Sequence, residues 1–154
     1  MSGPPADDFS RDDSLGYQIN LLARLLARAL NAKTEPLGVV PGQFAQLLAL
    51  FEEEGLTQSE LCAVVKIEQP TMARTLQRME RAALVRREAD PVDGRKTRVL
   101  LTERSRELQR PLVAAATEVN QIATRGLGDR EVETLMALVR RLVQNMETDA
   151  AGAH

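Results

Sequence analysis

The stretch Ile67–Glu80 has the sequence IEQPTMARTLQRME and predicts a helix with two distinct sides. Pro70 suits the first turn of a helix, because its missing backbone N–H needs no partner there. Apolar residues recur at helical spacing on one side, and polar residues recur at i, i+3, i+4 and i+7 on the other. The apolar residues are Met72, Leu76 and Met79, and the polar stripe consists of Thr71, Arg74, Thr75 and Arg78. We therefore expect a helix that buries one side and leaves the other free to bind a partner.

A short capped helix is expected immediately before this stretch. Thr57 and Glu60 have the spacing of a capping box, in which the threonine hydroxyl accepts from a backbone N–H of the first turn. Cys62 lies beside Leu61 in a helix with an apolar side, so we interpret it as a small buried thiol. The alternative, a redox-sensing cysteine, would need exposure and a low pKa. The apolar residues of this helix are Leu61, Val64 and Val65.

The period of the sequence changes after the second helix. Leu84–Glu88 and Thr97–Leu101 read as two short strands, and the charged, turn-forming loop Ala89–Lys96 joins them. A capped helix, a helix with a polar stripe and a hairpin together describe a winged helix-turn-helix. In that arrangement the second helix fits the major groove of DNA, and the hairpin tip reaches the backbone or the minor groove.

The distribution of charge agrees with DNA as the partner. The whole chain has a formal charge of −2, which argues against a polycation that coats nucleic acid. Residues 66–110, however, contain 12 Lys or Arg and 7 Asp or Glu, a net charge of +5, and the rest of the chain carries −7. The basic charge is therefore concentrated in the segment that would face DNA.

The composition excludes several other classes of function. Three Phe, one Tyr and no Trp are too few for a base-stacking platform of the single-strand or RNA type. One Cys and one His leave no ligand set for zinc and no His-based triad, so we expect no enzyme, no metal and no cofactor. No run approaches the ~20 apolar residues of a membrane span. A cytoplasmic protein without a membrane partner is expected.

Long apolar helices flank the central segment. A helix from Ser14 to about Lys33 is apolar on two sides, and another begins at Asp129. They would form either a monomeric bundle or a pairing interface, and a pseudo-palindromic DNA site favours a homodimer. We expect a mainly α fold. Its parts would be a flexible tail (1–13), a dimerisation lobe (14–35 and 103–149), a winged helix-turn-helix domain (36–102) and a C-terminal tail (150–154).

The same residues resemble a known family. The helix Ile67–Glu80 is similar to the recognition helix of MarR-type transcriptional regulators, especially of the SlyA branch. The wing of the same family and the start of its fifth helix are matched by Leu84–Arg87, Asp90–Arg95 and Val99–Thr102. The resemblance covers roughly Leu15–Met146. It implies an obligate homodimer whose first and last helices form the dimerisation lobe, with one winged helix-turn-helix in each subunit. It also implies a sequence-specific regulator of transcription, most often a repressor.

The resemblance carries over a set of DNA-contacting positions. Arg74 matches the recognition-helix arginine, and a guanidinium fork can bond guanine O6 and N7. Arg95 matches a wing-tip arginine that enters the minor groove, and Asp93 the aspartate that braces it. Lys96 is expected to contact DNA beside Arg95, and Arg98 to support the wing or touch phosphates. The other groove-facing or backbone-facing positions are Gln69, Pro70, Thr71, Thr75 and Arg78.

The family also binds small aromatic carboxylates or related anions between its two lobes, which implies an effector site here. Arg24 and Arg28 lie one turn apart on the first helix and could hold a carboxylate. Phe44 and Leu48, also one turn apart, could supply the apolar wall. The alternative is that the arginines are solvated or ion-paired and that the two apolar residues belong to the core.

Three positions depart from the family pattern. Ala83 stands where Gly commonly supplies a left-handed turn, and Ser105 stands where Gly is usual. Gly94 replaces a commoner basic residue, which is expected to make the wing tip more flexible and less charged. A winged helix can also act as a protein-interaction adaptor, and that alternative predicts no salt-dependent affinity for DNA.

Overall fold

The structure, a computed structural model, describes residues 9–153. Within these residues it contains six α-helices and one two-stranded sheet, which confirms the mainly α, winged helix-turn-helix fold. In chain order the elements are α1 (Leu15–Thr34), a 3-10 turn (Glu35–Leu37), α2 (Pro41–Glu52), α3 (Gln58–Val65), α4 (Gln69–Arg81), β1 (Val85–Ala89), β2 (Thr97–Leu101), α5 (Glu103–Ala123) and α6 (Asp129–Gly152).

The chain divides into two compact units. The first runs to Val119 and holds α1 to α4, the wing and most of α5, and the second holds the end of α5 and α6. Of the expected N-terminal tail, residues 1–8 lie outside the described residues, and residues 9–13 form no helix or strand. Helix α6 continues to Gly152, into the segment expected to be a C-terminal tail, because Ala150 and Ala151 are good helix formers.

The core of the first unit is built by one side of α2, α3 and α4, together with residues of the wing and one residue of α5. The three apolar residues predicted for α4 are completely buried, and Phe44 and Leu47 of α2 are buried with them. Leu61 and Cys62 are the buried residues of α3, so the interpretation of Cys62 as a buried thiol is confirmed. Leaving water raises the pKa of this thiol above its ordinary value, and the nearby carboxylate of Glu68 adds to the effect.

The wing is attached to the helix-turn-helix along one strand. Strands β1 and β2 pair antiparallel, with Val85 opposite Leu101. The other edge of β2 pairs with the segment before α3. There the Gly55 N–H donates to the Val99 carbonyl (3.1 Å), and the Val99 N–H donates to the Leu56 carbonyl (2.8 Å). The orientation of the hairpin is therefore set by the loop that also begins α3.

The turn between α4 and β1 has a left-handed residue that is not glycine. Ala83 has a φ of 56°, the conformation for which the family commonly uses glycine. Side chains from the start of α5 bond the carbonyls of this turn: the Thr102 hydroxyl donates to Ala83 (2.6 Å), and the buried Ser105 hydroxyl donates to Leu84. Ser105 thus bonds the carbonyl of the residue that follows Ala83, so the two positions where the MarR-type pattern has glycine are neighbours in the structure.

An Ala83→Gly variant is expected to be more stable than the parent. The left-handed region costs a residue with a Cβ about 1–2 kcal/mol, and the greater freedom of glycine in the unfolded chain offsets about 0.4–1 kcal/mol of that gain. We expect a net gain of up to ~1.6 kcal/mol, measured by thermal or urea unfolding. The matched control is Ala82→Gly, since Ala82 has a φ of −80° and should lose stability. Equal losses in both variants would contradict the prediction.

The first and last helices expose large apolar side chains. Helix α6 is 24 residues long and buries none of them, and α1 buries only Thr34. The exposed large hydrophobic residues are Leu15, Tyr17, Ile19, Leu22 and Leu25 on α1, and Leu135, Met136, Leu138, Leu142, Val143 and Met146 on α6. None of the helices between residues 9 and 153 has the length and apolar content that crossing a membrane requires.

Candidate nucleic-acid interface

The polar side of α4 is open to solvent. Thr71, Arg74 and Arg78 are exposed, and Pro70 is exposed in the first turn. Thr75 is half-buried, and its hydroxyl donates to the carbonyl of Thr71 (2.9 Å). Neither arginine forms an ion pair with another residue of the described part. Because both guanidinium groups keep their five donors, both are available to an external acceptor.

The first turn of α4 is tied to the first turn of α3 by side chains. Gln58 Nε2 donates to Gln69 Oε1 (3.1 Å), and Gln69 Nε2 donates to Ser59 Oγ (3.1 Å). Sequence reasoning placed Gln69 on the interface and gave no role to Gln58 or Ser59. The capping residue Thr57 could have pointed to Gln58 and Ser59, because the residues after an N-cap form the first turn of a helix. In a helix-turn-helix, the first turns of the two helices lie close together.

Two aspartates organise the tip of the wing. One oxygen of Asp90 accepts from the N–H groups of Val92 (2.8 Å) and Asp93 (2.9 Å). One oxygen of Asp93 accepts from the N–H and from Nε of Arg95, both at 3.1 Å. These bonds lower the pKa of both carboxyls; for Asp93 the largest cause is the Arg95 side chain, and for Asp90 it is the Asp93 N–H. The tip is therefore fixed by charge-assisted bonds.

Arg95 and Lys96 extend from this tip. The Arg95 side chain is 92% exposed while its Nε is held by Asp93, so the guanidinium has a fixed direction and free donors. Lys96 is exposed beside it. The expected pairing of Asp93 with Arg95 is present in the structure. The chemistry suits an anionic backbone or a narrow minor groove, both of which attract an oriented arginine.

Arg98 lies within the wing, and its side chain is hydrogen-bonded to the backbone of the same chain. Its Nε donates to the carbonyl of Gly55 (3.0 Å), and the residue bridges Thr57 across the edge of β2. Gly55 has a φ of 85°, and a Cβ there would collide with Nη2 of Arg98. Nearby, Glu54 accepts from the Leu101 N–H (2.9 Å) and from Arg106 (2.6 Å). Arg98 thus supports the wing, one of its two expected roles.

The residues expected at an effector site lie in different surroundings. Arg24 and Arg28 are exposed on α1. Phe44 is 8% exposed and belongs to the core, and Leu48 is half-buried against that core. The effector site stays a prediction. In the described residues, no group of His, Cys, Asp and Glu side chains could hold a metal ion.

An exposed recognition helix with free arginines, beside a wing that presents one more, defines a DNA-binding winged helix-turn-helix protein. Comparison with known proteins gives the family. The family model of the MarR family matches residues 37–96 of the chain. A MarR transcriptional regulator from Methanosarcina mazei Go1 is 30% identical, with a TM-score of 0.81 over 87% of this chain and 96% of its own. The chain belongs to the MarR family of transcriptional regulators and is not an enzyme.

Two further structures are similar. The transcriptional regulator SlyA is 25% identical, with a TM-score of 0.83 over 88% of this chain and 96% of its own. A MarR-family regulator from Listeria monocytogenes, solved in complex with a 26mer DNA, is 22% identical, with a TM-score of 0.83 over 89% of this chain and 91% of its own. The second likeness shows the fold alone.

Proposed function

We propose that this regulator is a homodimer that binds a pseudo-palindromic duplex DNA site and represses transcription by occupying a promoter. The observation that carries the proposal is the exposed stripe of α4, whose Arg74 and Arg78 pair with no described residue, next to a wing tip that orients Arg95. Chromosomal DNA is the proposed partner, which keeps the cytoplasm as the proposed location. The likeness to a family member solved with DNA supports the same partner.

Dimerisation is proposed from the exposed apolar residues of α1 and α6. Six large hydrophobic side chains of α6 and five of α1 are exposed, and most of them recur at helical spacing. A helix face with several exposed large apolar side chains is typical of an interaction site in a globular protein. A second copy of the chain is the proposed occupant, because a two-fold DNA site is matched by a two-fold protein.

The proposed effector is a small aromatic carboxylate that lowers the affinity for DNA. Arg24 and Arg28 are both exposed one turn apart, so one carboxylate can reach both guanidinium groups. Such a ligand acts only if it binds the two conformations of the dimer unequally. Titrating a panel of aromatic carboxylates into the protein–DNA complex tests this part. Retention of DNA across the whole panel, with an unchanged melting temperature, would sink it.

Selection from random duplex DNA tests the function as a whole. The full chain should enrich a site with two related half-sites whose centres are about one helical turn apart, roughly 34 Å. Its affinity should fall steeply with salt, and light scattering should give the mass of a dimer. An adaptor that binds only proteins would enrich no sequence and show no salt-dependent DNA affinity.

An Arg95→Ala variant is expected to bind the selected site several-fold more weakly and with a shallower salt dependence. The slope of log affinity against log salt should fall by about 0.9 for each phosphate that the variant no longer neutralises. Fluorescence anisotropy over a series of salt concentrations measures the slope. Arg130→Ala is the control, because it removes the same charge from an exposed position at the start of α6. A slope equal to the parent's would remove Arg95 from the interface.

A further inference from the structure

The side-chain amide of Gln69 is held in one orientation by two residues of α3. Gln69 is the first residue of the recognition helix, and its side chain accepts from Gln58 and donates to Ser59. An exposed glutamine ordinarily samples many rotamers, and ordering one on binding costs conformational entropy. Two bonds to a neighbouring helix order it before any partner arrives. We name Gln58, Gln69 and Ser59 the amide relay.

The amide relay leaves Gln69 with a defined hydrogen-bonding capacity. A side-chain amide has two N–H donors and an oxygen with two acceptor positions. Gln58 occupies one acceptor position and Ser59 takes one N–H. One donor and one acceptor therefore remain, on a side chain that is exposed at the start of α4.

Among the four bases, this remaining pair matches adenine. In the major groove adenine presents the N7 acceptor and the N6 amino donor, whereas guanine presents two acceptors, cytosine a donor and thymine an acceptor beside a methyl group. We propose that Gln69 reads an adenine in each half-site and that Gln58 and Ser59 are positioning residues for it. The proposal rests on the proposed function, because it assigns a base to a side chain of the same interface.

The test starts from the site that the parent protein selects and measures affinity for every single base-pair substitution in it. Gln69→Ala should abolish the discrimination at one A·T pair in each half-site, reducing a preference of about tenfold or more to less than about twofold, with the other positions unchanged. Gln69→Glu keeps the length of the side chain but has only acceptors. It should move the preference at that pair from adenine towards cytosine, whose N4 amino group donates.

Gln58→Ala tests the relay itself. It leaves Gln69 in place, so it should lower the discrimination at the same base pair by a few-fold and have no effect once Gln69 is alanine. Gln77→Ala is the matched control, since Gln77 is an exposed glutamine of the same helix outside the relay. The melting temperature should change only slightly in these variants, because the hydrogen bonds that are lost join side chains at or near the surface. If Gln58 and Gln69 only stabilised the fold, their replacement would weaken binding at all positions of the site, and discrimination would not be lost at one base pair alone.

The outcomes separate the inference from the proposed function. A parent protein that selects a defined site but keeps all its A·T preferences in Gln69→Ala overturns the inference alone. A Gln58→Ala loss that adds fully to that of Gln69→Ala overturns the positioning role of Gln58. A parent that selects no site overturns the proposed function and the adenine assignment together.

Discussion

Replacing Arg74 with alanine is expected to weaken binding to the selected DNA site by about 10- to 100-fold. Arg74 lies in the middle of the exposed stripe of α4, and no described residue pairs with its guanidinium. A bidentate arginine–guanine contact is worth about 1–3 kcal/mol of discrimination, and every ~1.4 kcal/mol is tenfold in affinity. The loss should be largest for the selected sequence and small for unrelated DNA.

Two further variants show whether Arg74 reads a base or only a phosphate. Arg74→Lys keeps the charge but cannot form the planar fork, so it should lose specificity while keeping the salt dependence of the parent. Arg130→Ala on α6 removes the same charge from an exposed position and should bind like the parent. Equal weakening of selected and unrelated DNA by Arg74→Ala would assign the residue to phosphate contact instead.

Replacing Gly55 with alanine is expected to lower the free energy of unfolding by about 0.5–3 kcal/mol, after subtracting the ~0.4–1 kcal/mol that alanine contributes by restricting the unfolded chain. The residue has a φ of 85°, where a Cβ costs about 1–2 kcal/mol. The added Cβ would also collide with the Arg98 guanidinium and displace it, so that its hydrogen bond to the Gly55 carbonyl is lost. A hydrogen bond of this kind contributes about 0.5–1.5 kcal/mol. Because the same contact supports the wing, DNA affinity should fall as well.

The chain offers a matched control for this variant. Gly42→Ala lies in α2 with no atom within 4 Å of the added Cβ, and it should keep or slightly raise the stability. Combining Gly55→Ala with Arg98→Met should cost less than the two single losses together, because removing the guanidinium relieves the collision but not the backbone strain. Thermal unfolding measures all of these variants beside the parent. Identical melting of Gly55→Ala and Gly42→Ala would contradict the supporting role of the contact.

Local patterns were sufficient to predict most of the fold. The 3.6-residue period of α4 identified Met72, Leu76 and Met79, and all three are completely buried. The change to a period of two located the wing, with β1 shifted by a single residue from Leu84–Glu88 to Val85–Ala89. These elements are specified by the spacing of neighbouring residues, which a sequence displays directly.

The contacts that shape the interface could not be predicted in the same way. Arg98 bonds Gly55 across 43 positions, and Gln58 bonds Gln69 across 11. Such pairs leave no period in the sequence, because they form only after the helices and the hairpin have packed. Val64 illustrates the same limit: it is apolar yet 52% exposed, since Leu61 and Cys62 already form the buried side of the short α3.

The unburied apolar surface of α6 has a consequence for how the regulator responds to its own abundance. None of the 24 residues of this helix is buried within the chain, so the proposed pairing supplies the burial that it lacks. The stability of the fold and the occupancy of the DNA site then both depend on the protomer concentration, through the dimerisation equilibrium. Below the dissociation constant of the dimer, the number of competent dimers rises with the square of the protomer concentration. Promoter occupancy would accordingly change over a narrow range of expression level, giving a threshold rather than a graded response.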